Sequence, residues 1–278
     1  MSTGSQKPQP KALFFDVFGT VVDWRTTVTN HLSTKSFEKL NAASSSSIGM
    51  PTRLACAGIS WPDFAQEWRT GYCEFTSAQA NRHGKDDPIA FKTVDDHHHD
   101  SLKELLVKHE IDHLWTDEEV LEISRIWHKL DGWSDSTGGL QALRNRGFII
   151  TTLSNGNLSL LTDMKIHAKL NWSYIFSAER FGAYKPHPSV YLGACKELGL
   201  QPGQCAMVAA HLGDLGAAKN CGLQTIYIER PEEESWGVEK VREAKRKGWV
   251  DMWVDSEENF VGGGILEVNR KFEIGTPL

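Results

Sequence analysis

The chain lacks long apolar runs, an excess of positive charge and an apolar signal segment in its first residues. No stretch approaches the ~18 consecutive apolar residues that mark a membrane-spanning helix, so the sequence predicts no membrane association. The net charge of −6 over 278 residues argues against a nucleic-acid-binding protein, because such proteins carry a basic surface. The polar N-terminus has no apolar signal segment, and we therefore expect a cytoplasmic protein.

The chain also has few cysteines, and no two of them stand close together. Their number is odd: Cys56, Cys73, Cys195, Cys205 and Cys221. Cys195 and Cys205 fall inside helix-like and strand-like apolar patterns, which is typical of buried free thiols. We therefore expect free cysteines and a reducing compartment.

Short apolar runs rich in β-branched residues recur along the chain. They cover residues 12–16, 148–154, 174–179, 205–210, 224–229 and 250–254. Segments whose apolar residues have helical spacing lie between most of these runs. They cover 137–146, 157–169, 188–199, 214–221 and 236–247. Alternation of this kind favours βαβ units with helices on both faces of a sheet. We predict an α/β fold with a doubly wound, mostly parallel sheet.

The gap between the first and second runs is too long for a simple crossover connection, and its content is helical. Apolar residues recur at i, i+3 and i+4 near 25–41, 61–82, 89–110 and 117–130. We predict that residues 22–132 form a helical cap domain, inserted into a core domain of residues 11–21 and 133–278. Residues 1–10 are expected to be a disordered tail, and the serine-rich stretch 42–50 a mobile loop.

An aspartate follows the first apolar run, in the string FFDVFGT at residues 14–20. Asp16 ends that run, and Gly19 and Thr20 break the pattern, which predicts a tight loop at the carboxyl end of a buried strand. Ligands bind at this edge in open α/β sheets. A carboxylate placed there can act as a nucleophile when it is ionised and poorly hydrated. Asp16 is therefore the candidate nucleophile.

Three further loops follow apolar runs and carry polar side chains. Ser154 and Asn155 in LSNGN precede a helix, where small polar side chains and helix amides can hold an anion. Lys185 in YKPHPSVY is held extended by the following proline, and its ammonium would keep Asp16 ionised. Asp214 in VAAHLGDLGAA begins a helix and could orient Lys185. Helix capping is the simpler alternative for the serine and for Asp214.

These four loops together resemble the haloacid dehalogenase superfamily, whose members use such an aspartate as a covalent nucleophile. Phosphatases of that superfamily usually carry further acidic residues at the positions of Phe18 and Ala210 in this chain. Because both positions are apolar here, the sequence is similar to the (S)-2-haloacid dehalogenase branch. The resemblance implies a Rossmann-like core with a cap domain, no metal or other cofactor, and a small anionic substrate, a 2-haloalkanoate.

The resemblance also implies two sets of site residues. The catalytic set is Asp16, Thr20, Lys185, Asp214 and His211. The substrate- or halide-binding set is Arg69, Ser154, Asn155, Phe18 and Tyr191. Arg69 lies in the cap string EWRTGY, where it is similar to the Trp-Arg pair of the dehalogenase cap. His211 and Gly213 depart from the family pattern, which has Asn and a bulky aromatic residue there, so the size of the substrate stays open.

The implied reaction begins with displacement of the halide by Asp16, and water then hydrolyses the ester with help from Asp214 or His211. Two alternatives stay open. A phosphatase of small metabolites would depend on Mg²⁺ although both expected carboxylates are missing. A non-catalytic protein that kept the fold would bind a ligand without turnover. The resemblance also allows a homodimer formed through the cap.

Overall fold

A parallel β-sheet forms the centre of the computed structural model, which describes residues 8–82, 91–255 and 263–275. In chain order the strands are β1 (Ala12–Phe15), β2 (Val22–Asp23), β3 (Asp131–Gly132), β4 (Ile149–Ser154), β5 (Tyr174–Ser177), β6 (Cys205–Ala209), β7 (Gln224–Ile228) and β8 (Met252–Val254). Strands β2 and β3 pair as a separate antiparallel ribbon, and the sheet has the order β5-β4-β1-β6-β7-β8.

The strand order runs outward from β1 in both directions. Each neighbouring pair of strands in the sheet is parallel. Because parallel crossovers are right-handed, two opposite directions of winding place helices on opposite faces of the sheet. Every residue of β1, β6 and β7 is buried, as expected for strands that are covered on both faces. The predicted doubly wound α/β fold is confirmed.

The chain between β2 and β3 is helical, as predicted. Its helices are α1 (Trp24–Asn41), α2 (Met50–Ala57), α3 (Trp61–Arg82), α4 (Val94–Lys108) and α5 (Asp117–Ser124), followed by a 3-10 helix at Arg125–His128. Aromatic rings from three of these elements meet around Trp127, which stacks on Trp24 and contacts Trp68 edge-on. This aromatic cluster gives the segment a buried interior of its own. The boundaries of a cap domain at 22–132 stay a prediction.

The serine-rich stretch that we expected to be a loop is more regular than its composition suggests. It forms a 3-10 helix at Ala43–Ser47, and α2, which the sequence pattern did not reveal, follows it. Arg53 in α2 explains the order, because its guanidinium donates hydrogen bonds to the carbonyls of Leu40, Ser45 and Ile48. The prediction of a loop at 42–50 was wrong for this reason.

The remaining helices flank the sheet: α6 (Ser136–Asn145), α7 (Leu158–His167), α8 (Pro188–Glu197), α9 (Leu212–Asn220), α10 (Val238–Lys247) and α11 (Ile265–Glu273). The sequence analysis missed α11, which packs against α6. Gly139 allows this close approach, since a Cβ there would lie 2.6 Å from Ile265 Cγ2. No helix in the described part of the chain is both long and apolar enough to cross a membrane.

The cysteines are free thiols, and the described start of the chain contacts the sheet. All five cysteines are free thiols, and Cys195 and Cys205 are buried, as predicted. Residues 1–7 of the expected N-terminal tail lie outside the described residues. The next residues contact the sheet, where Pro8 accepts a hydrogen bond from Gln224 through its carbonyl and Pro10 is buried.

Candidate active site

A cavity of about 520 Å³ opens at the carboxyl ends of the central strands, below α1 and α3. We call two parts of its lining the core face and the cap face. The core face comprises residues from the loops and helices that follow the strands: Asp16, Asn155, Lys185, Tyr191, His211, Asp214 and Glu233. The cap face comprises Trp24, Arg69 and Tyr72 from α1 and α3. Among the predicted site residues, Thr20, Ser154 and Phe18 are buried behind this lining.

Asp16 stands at the end of β1 with donors around both carboxylate oxygens. Lys185 Nζ lies 2.9 Å from Oδ1, while Thr20 Oγ1 donates to Oδ2 at 2.8 Å and His211 Nδ1 lies 3.1 Å from Oδ2. Burial opposes ionisation of this carboxyl, but the charges and hydrogen bonds of Lys185 and His211 outweigh it and hold the pKa of Asp16 well below its usual range. The carboxylate is therefore buried, oriented and ionised.

Lys185 links the two carboxylates of the core face. Its Nζ lies 2.6 Å from Asp214 Oδ2 as well as within reach of Asp16. Burial disfavours the ammonium, yet the charges of the two aspartates raise the pKa of Lys185 above its usual value. Tyr191 completes the group by donating from its hydroxyl to Asp214 Oδ1 at 2.5 Å. Lys185 and Asp214, which the sequence analysis expected to act together, are therefore in direct contact.

The loop after β4 is joined by hydrogen bonds to the loop that carries Lys185. Asn155 lines the cavity, but its Oδ1 accepts a hydrogen bond from the backbone N–H of Lys185 at 2.7 Å. Ser154 is fully buried, and its Oγ accepts from the Gly156 N–H at 3.3 Å. In this arrangement Asn155 fixes the loop that carries Lys185, and Ser154 stabilises its own turn.

The two positions that distinguish the sequence from phosphatases are both buried and apolar. Phe18 is 1% exposed, and its ring packs against Tyr72 and Trp127. Ala210 is fully buried, and its N–H donates to Thr20 Oγ1 at 2.9 Å. No group of three His, Cys, Asp or Glu side chains in the described ranges is placed to hold a metal ion.

Arg69 is the cation of the cap face. It is 8% exposed, and its guanidinium carbon lies 4.5 Å from the ring centroid of Tyr72, 5.3 Å from that of Phe18 and 5.5 Å from that of Trp24. These rings favour the cation through their π faces. Its Nη1 is buried and has no hydrogen-bond partner among the described residues. A buried guanidinium with a free donor is suited to an incoming carboxylate or halide.

Glu233 is a site residue that the sequence analysis missed. It lies in the loop after β7, and its Oε2 is 3.3 Å from His211 Nε2. Burial disfavours a charged imidazole, but the hydrogen bonds and charges of Asp16 and Glu233 raise the pKa of His211 to about 10. The only signal in the sequence was three consecutive glutamates, at 232–234, directly after an apolar run that ends near the same edge of the sheet.

Comparisons with known proteins show the family to which the chain belongs. A model of the haloacid dehalogenase-like hydrolase family matches residues 10–222. The (S)-2-haloacid dehalogenase 4A of Burkholderia cepacia is 33% identical over 106 residues, which cover 37% of this chain and 46% of that protein. The chain thus spans about half the length of the curated relatives it matches.

Two solved structures extend the similarity over more of the chain. A defluorinating L-2-haloacid dehalogenase is 35% identical, with a TM-score of 0.69, and the match covers 80% of this chain and 82% of that one. Another L-2-haloacid dehalogenase is 28% identical, with a TM-score of 0.73, and the match covers 95% of this chain and 99% of the other.

Proposed function

The chain belongs to the haloacid dehalogenase-like hydrolase family, and from this premise we propose that it is a metal-independent hydrolytic dehalogenase of short 2-haloalkanoic acids. One observation carries the proposal. The cavity has an ionised carboxylate, Asp16, on its core face and a buried guanidinium with an unpartnered donor, Arg69, on its cap face. A 2-haloalkanoate needs both, because its carbon must meet a nucleophile while its carboxylate and its departing halide need positive charge.

The first step is displacement of the halide. Arg69 binds the carboxylate or the halogen, and Asp16 attacks the α-carbon from the side opposite the leaving halide. The C–O bond of an ester forms as the carbon–halogen bond breaks, and the halide leaves with the bonding electron pair. Lys185 and Thr20 keep Asp16 charged and oriented during this attack.

The second step is hydrolysis of the ester. Water attacks the carbonyl carbon of Asp16, and Asp214 or His211 assists. The bond at the α-carbon is not broken again, so the 2-hydroxy acid keeps the inverted configuration set by the first step. Reaction of one substrate molecule with one water releases one halide and one proton.

The apolar positions 18 and 210 separate this proposal from a phosphatase. Phosphatases of the family have carboxylates there, and Mg²⁺ prefers such hard oxygen ligands. Here Phe18 and Ala210 supply none, and the ammonium of Lys185 lies between the two remaining carboxylates, Asp16 and Asp214. The donor set therefore does not fit a magnesium ion in the arrangement that phosphatases use.

Location and assembly form a secondary part of the proposal. The free thiols are consistent with a reducing, cytoplasmic environment. We also propose the division into a cap of residues 22–132 and a core of the remaining chain. A homodimer through the cap stays a prediction.

The test measures halide release from L- and D-2-chloropropionate in the presence of EDTA, beside hydrolysis of p-nitrophenyl phosphate with and without Mg²⁺. We expect chloride from the L enantiomer despite the chelator, because the names of the similar enzymes specify L- or (S)-substrates. Phosphate release that depends on Mg²⁺, with no chloride formed, would replace our proposal by a phosphatase. Tight binding of 2-haloalkanoates without turnover would indicate a non-catalytic member of the family.

A further inference from the structure

The carboxylate of Glu233 is built into the wall of the cavity beside the nucleophile. Its side chain is 4% exposed, and its Oε2 lies 3.3 Å from His211 Nε2. Gly19 leaves the space for it, since a Cβ at that position would lie 1.9 Å from Glu233 Oε2. Gly19 has a φ of +80°, which side-chain-bearing residues rarely adopt. The turn after β1 thus accommodates this carboxylate.

The neighbours of Glu233 hold its loop in place. Glu232 pairs with Arg25, whose Nε lies 3.0 Å from Glu232 Oε2. Glu234 Oε2 accepts a hydrogen bond at 2.8 Å from the N–H of Leu212, at the start of α9. The three consecutive glutamates therefore have three different partners, and the middle one is directed at His211.

His211 lies between two carboxylates, and this fixes its protonation. Its Nδ1 faces Asp16 Oδ2 at 3.1 Å, and its Nε2 faces Glu233. Ionised carboxylates only accept hydrogen bonds, so both ring nitrogens carry a hydrogen and the ring is an imidazolium. Among the described residues, the other charged groups that line the cavity with it are Lys185, Asp214, Glu232, Glu234, Arg25 and Arg69.

The two oxygens of Asp16 differ in their surroundings. Among the described side chains, Oδ1 accepts from Lys185 alone, while Oδ2 has two donors, Thr20 Oγ1 and His211 Nδ1. Oδ1 is therefore the freer oxygen for attack on the α-carbon. Once the ester has formed through Oδ1, Oδ2 is its carbonyl oxygen, and negative charge develops there when water adds. Two donors on that atom form an oxyanion hole.

We propose that Glu233 is a positioning residue for hydrolysis of the Asp16 ester, because it holds His211 as the charged donor that stabilises the oxyanion on Oδ2. The inference rests on the proposed dehalogenase function and deepens it. His211 is then the oxyanion donor in ester hydrolysis, and Asp214 is the base.

Hydrolysis of the ester begins with the attack of water. The oxygen of water bonds to the carbonyl carbon, its proton passes to Asp214, and the carbonyl π pair moves to Oδ2. When that pair returns to form the carbonyl again, the bond between the carbonyl carbon and Oδ1 breaks. Oδ1 stays bonded to the substrate carbon. The departing alkoxide takes the proton back from Asp214. The new carboxyl group of Asp16 then loses its proton to solvent.

The test compares Glu233→Gln with the wild type in two phases, the first burst of halide and the later hydrolysis. The glutamine keeps the shape of the side chain and removes its charge. We expect a halide burst within about 3-fold of wild type and hydrolysis slower by about 10- to 100-fold. The ester should accumulate and be visible as added mass on Asp16. Glu239→Gln, the same change on a side chain that is 87% exposed, is the control.

The pH profile of the hydrolysis phase separates this role from a structural one. An imidazolium no longer stabilises the oxyanion once it has lost its proton. The alkaline limb of the plot of hydrolysis rate against pH should therefore move to lower pH in Glu233→Gln, by about one unit or more. Glu233→Asp, which keeps the charge, should return the limb towards that of wild type. A shift of the acidic limb instead would mean that His211 is a base and would overturn the proposal.

A double-mutant cycle and an NMR titration complete the test. In a His211→Gln background, Glu233→Gln should have no further effect on hydrolysis, and additive losses would contradict action through His211. The imidazole signals of His211 should titrate at lower pH in Glu233→Gln than in wild type, and an unchanged titration would overturn the proposal without any substrate. Failure of the wild type to release halide would instead refute the dehalogenase function itself.

Discussion

The core face and the cap face of the cavity differ in how their charges are paired. On the core face Asp16, Lys185 and His211 each have an oppositely charged partner within 3.1 Å. On the cap face Arg69 lies among aromatic rings, and its Nη1 has no partner in the described residues. A buried cation without a counter-ion is costly to a protein on its own. The contrast suggests that the nucleophile is fixed in advance, whereas the cap cation is left for an anion that the substrate brings.

On the core face, replacement of Asp16 should cause the largest loss of activity. In Asp16→Asn an amide replaces the carboxylate, and it can neither displace a halide nor pair with Lys185 and His211. We expect halide release from L-2-chloropropionate to fall by at least about 10³-fold. Circular dichroism and thermal unfolding should show that the fold remains.

An exposed carboxylate provides the control for this change. Asp63 lies on the surface in the first turn of α3, and Asp63→Asn should leave turnover unchanged. Full halide release by Asp16→Asn would rule out the covalent route and place the chemistry elsewhere in the cavity.

The cap face can be tested by keeping its charge and changing its shape. In Arg69→Lys the ammonium cannot form the paired hydrogen bonds of a guanidinium and stacks less well on the rings of Tyr72 and Phe18. We expect kcat/KM for L-2-chloropropionate to fall by about 100-fold. Lactate, the product, should also protect this variant less against thermal unfolding than it protects the wild type.

Arg125→Lys, on the exposed side of the cap, is the matched control for Arg69→Lys. A value of kcat/KM within about 3-fold of wild type for Arg69→Lys would mean that the cap cation is structural. The substrate anion would then be held by the core face, and the unpartnered Nη1 of Arg69 would not be a binding group for it.

A smaller effect is expected where the core face can lose one hydrogen bond and keep its charges. Tyr191→Phe removes the donor to Asp214 Oδ1 and leaves the pair of Asp214 with Lys185 in place. One hydrogen bond to a charged group corresponds to about 1.5–3 kcal/mol. We therefore expect the hydrolysis phase to slow by about 10-fold, measured by single-turnover kinetics, with the halide burst preserved. An equal slowing of both phases would show that Tyr191 acts on the substrate instead.

Much of this architecture could be predicted from the sequence for a physical reason. Strands buried on both faces must be apolar along their whole length, so they stand out as runs, and in a parallel sheet their following loops meet at one edge. That reasoning located Asp16, Lys185 and Asp214. Arg69 was found through the resemblance of its string, EWRTGY, to the Trp-Arg pair of the dehalogenase cap.

The rest depends on contacts that no local pattern encodes. Glu233 is far from His211 in sequence, and three charged residues in a row resemble an ordinary solvated turn. Asn155 lines the cavity and also binds the backbone of Lys185 through its amide, a contact that no spacing in the sequence indicates. Such partners are chosen by the three-dimensional approach of loops, which composition and spacing do not determine.

The smallest expected effect concerns the contact that keeps the two faces aligned. His128, at the end of the cap helices, lies between Asp95 of α4 and Asp163 of α7, with its ring nitrogens 3.0 and 2.8 Å from their carboxylates. Burial works against the charge, but these carboxylates raise the pKa of His128 above its usual value. A raised pKa means that the stabilisation is complete below the unfolded pKa of about 6.5 and is lost as pH rises through the higher folded value.

We therefore expect His128→Gln to lower the free energy of unfolding by about 1 kcal/mol at pH 6 and by less at pH 9, measured by urea titration at both values. Asp95 has a lowered pKa and stays ionised throughout this window, so it does not contribute to the change. His113→Gln, on a side chain that is 85% exposed, should show no such dependence. A penalty that is equal at both pH values would mean that His128 stabilises the junction by packing alone, and the alignment of the two faces would then be independent of pH.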